Sequence, residues 1–383
     1  MQVNTERTLL RFLLPFPIKN YLRLSSDELE AMKCEAVRHN QLLLLYAQIE
    51  KHRALIKPAG VADDFLESVK NIYYGNVARS LRQEYIARRT SSLLSDEGVR
   101  SVLLRGNAIA RDIYDDPYCR TSVDVDILIR EAALSSADMI LSKNGYVRND
   151  KLPIKFWVSR IHHAVYSCPD TDDLIELHWN FSIPSFFSLS SAEIWSRGVQ
   201  IEEEKCRLSP EMTIIHLLMH HYMHAFRELR ILIDIIWALH KYEDKIDWKA
   251  FALELKKVGL LKTTLITLDQ IRCLCREFTQ EMRSIPILRQ EMKLMKCKAP
   301  SLLYSFFKMD IYRKYAFQDK KDKFASRFAL DKWSTIFFSF MKVLFPSPDI
   351  IKALYGNVRF WKLPLNYLRF IGWRVKEWTG RRA

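Results

Sequence analysis

The sequence predicts an α+β fold, a small mixed sheet embedded in helices with a large helical domain behind it. Three observations point there. Val123 to Ile129 and Leu174 to Phe181 alternate apolar and polar residues with the period of two that belongs to strands. A short apolar run, Ser101 to Leu104, passes through Gly106 into Asn107 to Tyr114, where Ile109, Ala110, Ile113 and Tyr114 have helical spacing. Elsewhere longer segments with a 3.6-residue period dominate, above all beyond Pro210.

Composition narrows the class. A chain of 383 residues with 49% hydrophobic content can bury a sizeable core and is not a disordered polymer. The net charge of +14 favours an anionic partner such as a nucleotide, a phosphosugar, nucleic acid or an acidic membrane surface. Seven cysteines without a C-x-x-C pair suggest neither a disulfide framework nor a zinc finger, and a reducing cytoplasm fits best. Leu9 to Phe16 is interrupted by Arg11 and Pro15, unlike an export signal. Thr335 to Phe345 is shorter than the roughly 20 apolar residues that span a bilayer, so no transmembrane helix is expected.

Residues 1–95 read as an N-terminal helical segment. Ser26, followed by Asp27 and Glu28, opens a helix, and Asn40 to His52 continues it until Pro58 and Gly60 intervene. Asp63 to Ser95 reads as one or two long amphipathic helices packing through Phe65, Val69, Ile72, Val77, Leu81, Tyr85, Ile86 and Leu93.

Residues 96–208 form the expected core. After the first strand, Gly106 makes a turn that lets an anion approach closely, and Asn107 is the expected N-cap of the following helix. Arg105 and Arg120 offer forked donors to a phosphate. In the next strand Val123, Val125, Ile127 and Ile129 point to one face, which turns Asp124 and Asp126 together onto the other. Their Cα atoms are then roughly 6 to 7 Å apart, within reach of one Mg²⁺ or a close pair of ions. Leu134 to Asn144 reads as a helix stopped at Gly145. In Leu174 to Phe181, Glu176 and His178 share one face.

Residues 209–383 form a helical domain with a basic, aromatic C-terminal tail. Glu211 to Tyr242 is apolar almost all round and reads as a buried helical pair. His216, His220 and His224 fall four apart within it, but neither an H-E-x-x-H motif nor nearby ligands complete a tetrahedral set, so a structural zinc is disfavoured. Arg230 and Asp234 are spaced for an internal ion pair. Further helices are expected at Trp248 to Val258, Leu261 to Phe278, Ser301 to Tyr315 and Leu330 to Phe345, with Asp319 to Arg327 as a charged connector. From Arg359 to Arg382 basic and aromatic residues interleave. A terminal helix docked on the body is the preferred reading, and peripheral contact with an anionic membrane is the alternative.

The motif Leu104-Arg105-Gly106, Tyr114-Asp115-Asp116-Pro117, Arg120 and Asp124-Val125-Asp126-Ile127 resembles the nucleotidyltransferase superfamily typified by DNA polymerase β. It is closer still to a bacterial branch of mostly uncharacterised nucleotidyltransferase-fold proteins, often found near polysaccharide or peptide-modification genes. That branch has lysine where Arg105 stands and proline at Thr121, and the wider superfamily has serine at Asn107. The resemblance implies transfer of a nucleoside monophosphate from a nucleoside triphosphate (NTP) to an unidentified acceptor, with Mg²⁺, or Mn²⁺ in its place, as cofactor. It makes Asp124, Asp126 and Glu176 the metal-binding and catalytic carboxylates, and Arg105, Gly106, Asn107 and Arg120 the nucleotide-binding set. His178, His224 and Arg230 become substrate-binding candidates. A cytoplasmic enzyme follows from this reading. Nucleic acid is disfavoured as a partner because no separate binding module is evident, and the oligomeric state is left open. The alternatives are a nucleotide sensor or scaffold without turnover and a transferase of another phosphate-linked group.

Overall fold

The computed structural model describes residues 2–18, 20–149, 158, 161–168, 173–202, 205–275, 325–345, 348, 351 and 363–379. The expected helix from Ser301 to Tyr315 and most of the charged connector lie outside them. The chain opens with α1 (Gln2–Leu13), the two-residue strand β1 (Leu22–Arg23), α2 (Ser26–Arg38), α3 (Leu42–Lys51) and β2 (Ile56–Lys57), which pairs in parallel with β1. Ser25, not Ser26, caps α2. Its hydroxyl accepts from the Glu28 amide at 3.2 Å while the Glu28 carboxylate accepts from the Ser25 amide at 2.8 Å, a reciprocal pair of cap bonds.

Then comes α4 (Ala59–Asp96), one unbroken helix of 38 residues. Phe65, Val69 and Ile86 are buried as expected, but Ile72, Leu81 and Tyr85 are exposed. The middle of the inward face is polar instead. Asn76 donates to the Tyr118 carbonyl at 2.9 Å, Gln83 donates to that of Ser122 at 3.2 Å, and Thr90 meets the Tyr146 hydroxyl at 3.0 Å. There the helix packs against loop backbone, whose carbonyls need donors, so amide side chains face inward and apolar ones outward.

The central sheet is built from β3 (Ser101–Leu103), β4 (Asp124–Ile129), β5 (Val147–Arg148), β6 (His163–Ser167) and β7 (Leu174–His178), in the order β3-β4-β7-β6-β5. Only β4 and β7 run parallel, so the sheet is mixed. Helix α5 (Asn107–Ile113) lies between β3 and β4, and α6 (Leu134–Lys143) follows β4. One sheet face, with Val125, Ile127, Ile129, Ile175, Leu177 and Trp179, packs on Ile86 and Leu94 of α4 and on Leu134, Ala137 and Leu141 of α6. Each fully buried aliphatic or aromatic side chain there contributes about 1.5–3 kcal/mol. Val123 was expected in this row but is 78% exposed, because strand pairing begins only at Asp124.

A short hairpin of β8 (Val199–Glu202) and β9 (Lys205–Leu208) leads into α7 (Pro210–Met223), α8 (Leu229–Lys241), α9 (Trp248–Val258) and α10 (Leu261–Leu274). Ser209 caps α7 ahead of Pro210, and Gly259 ends α9 at φ 83°, a left-handed position that suits glycine. Ten of the 14 residues of α7 and ten of the 13 of α8 are buried, in keeping with their largely apolar pattern. These helices share one core with α1 to α4, and the Trp237 indole donates to the Leu13 carbonyl at 2.9 Å. The last described helices are α11 (Trp333–Leu344) and α12 (Leu363–Thr379). No described helix is long and apolar enough to cross a membrane.

Candidate active site

The register of β4 against β7 places Asp126 beside Glu176. Both point away from the face packed on α4 and α6, into a cavity of about 400 Å³ closed on its far side by α7. Lining it are Asp124, Asp126, Glu176, Arg105, Arg120, His178, His224 and Arg230, so eight of the ten residues expected at the site meet in one place. Gly106 shapes the adjoining turn. It sits at φ +65°, and a Cβ there would come within 2.9 Å of the Ser122 hydroxyl, so the turn requires glycine for both conformation and space. The Leu104 amide donates to the Asp126 carbonyl at 3.0 Å and ties this turn to β4.

Asn107 departs from expectation. Gly106 occupies the N-cap position, and Asn107 is the first helical residue. Its side-chain amide donates to the Ser80 carbonyl of α4 at 2.7 Å, so it braces the turn against α4. Arg105 also differs from its expected posture. The guanidinium donates through Nη2 to Asp126 and, at 3.2 Å, to Glu176, and its Nη1 lies 2.8 Å from Nδ1 of His220. A fixed positive charge therefore sits between the two acids. Arg120 donates through Nε to both oxygens of Asp234, at 3.2 and 3.1 Å, and Tyr114 donates to the same carboxylate at 2.7 Å. Asp234 thus pairs with Arg120 and not with Arg230. Arg230 donates to the Thr121 carbonyl at 3.0 Å, and His224 forms an ion pair with Glu228.

Electrostatics separate the acids. Burial works against ionisation of Asp126, but Arg105 and His178 outweigh it and hold this carboxyl below its usual range. Burial also opposes the charge on Glu176, and His178 again prevails. Asp124, without such a close partner, is raised by burial and by the neighbouring charges of Asp126 and Glu176. His178 resists desolvation because its Nε2 stands 2.9 Å from Asp126 and 3.2 Å from Glu176, which raises its pKa. Donor atoms of Asp126, Glu176 and His178 lie within 4.8 Å of one another, a set of oxygen and nitrogen ligands that fits a divalent cation.

A family model described as uncharacterised nucleotidyltransferase matches residues 26–276, about two-thirds of the chain and the whole of the sheet. The chain belongs to this family. Neither the curated proteins nor the solved structures contain a match. The mixed sheet set among helices is the architecture expected of a nucleotidyltransferase fold, and the Asp-x-Asp strand, the glycine turn and the Glu176 strand all fall within the matched residues.

Besides His216 and His220, the cavity of this nucleotidyltransferase-family protein is lined by six residues that the sequence did not mark for it: His162, His163, Ser122, Val123, Phe181 and Met223. The signal for the first two was the run His163 to Ser167, whose alternating burial marks a five-residue strand too short to stand out. Burial holds His162 at about 2 and His163 at about 4, holds His221 at about 4, and pushes His216 and His220 well below 6.5. These five rings stay neutral in the fold but take up protons in the unfolded chain near 6.5, so folding stability falls as pH drops below about 6.5. His178 runs the other way, since its raised pKa favours the folded state in acid. With these five rings and His52, which burial also lowers, against His178 alone, the urea midpoint is expected to be lower at about pH 5.5 than at about pH 7.5. An equal or higher midpoint at the acid pH would show that the rings are charged in the fold.

Proposed function

We propose that this protein transfers a nucleoside monophosphate from an NTP to an acceptor hydroxyl or phosphate, with Asp124, Asp126 and Glu176 holding Mg²⁺ or Mn²⁺. The observation that carries this reading is the β4–β7 register, which sets Asp126 against Glu176 at the wall of an open cavity, with His178 hydrogen-bonded to both. A bound divalent cation would supply charge neutralisation on the polyphosphate oxygens. In the reaction an acceptor oxygen bonds to the α-phosphorus, the bond from that phosphorus to the bridging oxygen breaks, and pyrophosphate leaves. Glu176, the more exposed of the acid pair, completes the metal site or takes the acceptor proton. Arg105 keeps the two acids from repelling each other while the site is empty of substrate, and turns to the triphosphate as it enters. The Gly106 turn brings backbone close to the phosphates. At the rim, His224 and Arg230 face the acceptor or the base, with Arg230 contributing a planar fork.

The acceptor is a sugar, phosphosugar, peptide or protein, in polysaccharide or natural-product assembly. An NTP donor places the reaction in the cytoplasm, and a peripheral membrane contact would run through α12, where Leu365, Leu368 and Arg369 are exposed. The test is incubation with each labelled NTP, Mg²⁺ or Mn²⁺ and cell extract. Pyrophosphate release that vanishes in Asp124→Ala supports transfer, whereas tight nucleotide binding without turnover would make the protein a sensor.

A further inference from the structure

We propose that His162, His163 and His178 form a second cation site, selective for a borderline divalent ion of the Zn²⁺ and Co²⁺ class, beside the carboxylate position at Asp126 and Glu176. It goes beyond the proposed transfer and holds whether or not an NTP is the donor. Strand pairing sets it up. His163 opens β6 directly opposite His178, the last residue of β7, and His162 precedes it by one position. The ring centroids of His162 and His163 are 4.6 Å apart, those of His163 and His178 5.0 Å, and those of His162 and His178 5.6 Å. One nitrogen from each ring lies within 4.8 Å of the other two, and all three residues line the cavity.

His163 Nδ1 lies 3.3 Å from His162 Nε2, within hydrogen-bond distance, and a cation would take the place of that contact. His178 Nε2 faces the carboxylates of Asp126 and Glu176, while its Nδ1 is buried without a partner, as is Nδ1 of His162. Nδ1 of His216, His221 and His240 is buried in the same way, so the convergence of the three rings, and not the lack of partners alone, marks this site. A carboxylate on one imidazole nitrogen is also the arrangement that orients the other nitrogen toward a metal. The donor type then selects the ion. Three imidazoles suit Zn²⁺, Co²⁺ or Ni²⁺ and leave an open coordination position, whereas Mg²⁺ demands oxygen.

The four-spaced histidines of α7 are not the set in question. His220 is engaged with Arg105 and His224 with Glu228.

Full-length protein stripped with a chelator and then titrated with Co²⁺ tests the site, read by visible ligand-field absorption and by metal content after dialysis against excess Mg²⁺. One Co²⁺ per chain should be retained. The double variant His162→Ala/His163→Ala should bind it about 100-fold or more weakly, the upper end of what loss of a ligand's supporting group alone costs. His240→Ala, outside the cavity, should bind it like the parent. Should the double variant fail to fold, the single variants His162→Gln and His163→Gln replace it, with folding checked by circular dichroism. No ligand-field absorption in the parent protein, displacement of Co²⁺ by Mg²⁺, or undiminished binding in the folded histidine variants would each overturn the proposal.

Discussion

Asp126→Asn should lower turnover at least about 1,000-fold, the upper range for removing one preorganised electrostatic contact from a transition state, while leaving a folded chain. The expectation rests on where Asp126 stands. It is 3% exposed, pairs across β4 and β7 with Glu176, and receives both Arg105 and His178. Asparagine keeps the volume and one acceptor oxygen, so packing survives, but the charge that anchors Arg105 and would hold a cation is lost. Glu176→Gln should cost less, because the Glu176 side chain is 20% exposed and contacts Arg105 at only 3.2 Å. The loss should fall on kcat more than on KM, since the negative charge a cation offsets develops on the departing pyrophosphate oxygen as the bond breaks. Pyrophosphate release measured beside a thermal melt separates this outcome from unfolding. A folded Asp126→Asn protein with parental turnover would rule out the carboxylate site as the seat of chemistry.

The sequence made the two acid-bearing strands legible for a physical reason. One face of the sheet packs on α4 and α6 and the other opens on a polar cavity, so apolar and polar residues had to alternate. Gly106 was legible because a positive φ and a crowding hydroxyl leave no room for another residue. The inner face of α4 was not. Hydrophobic periodicity presumes an apolar neighbour, yet Asn76 and Gln83 face loop backbone, and Ile72, Leu81 and Tyr85 lie at the surface instead. Contacts between distant segments were equally hidden. A spacing of four made Arg230 the obvious partner of Asp234, whereas the fold supplies Arg120 from 114 positions away. His162 and His163 gave little signal for the same reason, since their meaning depends on the strand that the chain brings back beside them.

That unforeseen pair carries the largest effect expected on stability. Asp234→Ala should destabilise the protein by about 3–5 kcal/mol, the range for breaking a buried ion pair from one side. Asp234 is fully buried and the Arg120 side chain is 5% exposed, so alanine would strand a guanidinium where water cannot solvate it. Tyr114 would lose its acceptor as well, a further cost of about 1–3 kcal/mol if its hydroxyl stays dry. Removing both charges should behave differently. In Arg120→Leu/Asp234→Leu no buried charge remains, and much of the lost stability should return, because a buried pair contributes little beyond an apolar replacement of similar volume. The two outcomes have separate consequences for function. The pair joins the loop before β4 to α8, and Asp124 follows Arg120 by only four residues, so the double leucine variant should recover its urea midpoint while Asp124 loses its fixed position and turnover remains low. Urea denaturation of the single and double variants with the same pyrophosphate assay reads both. A single variant that unfolds at the parental midpoint would show that Arg120 reaches solvent, and a double variant with full activity would remove the pair from any part in placing Asp124.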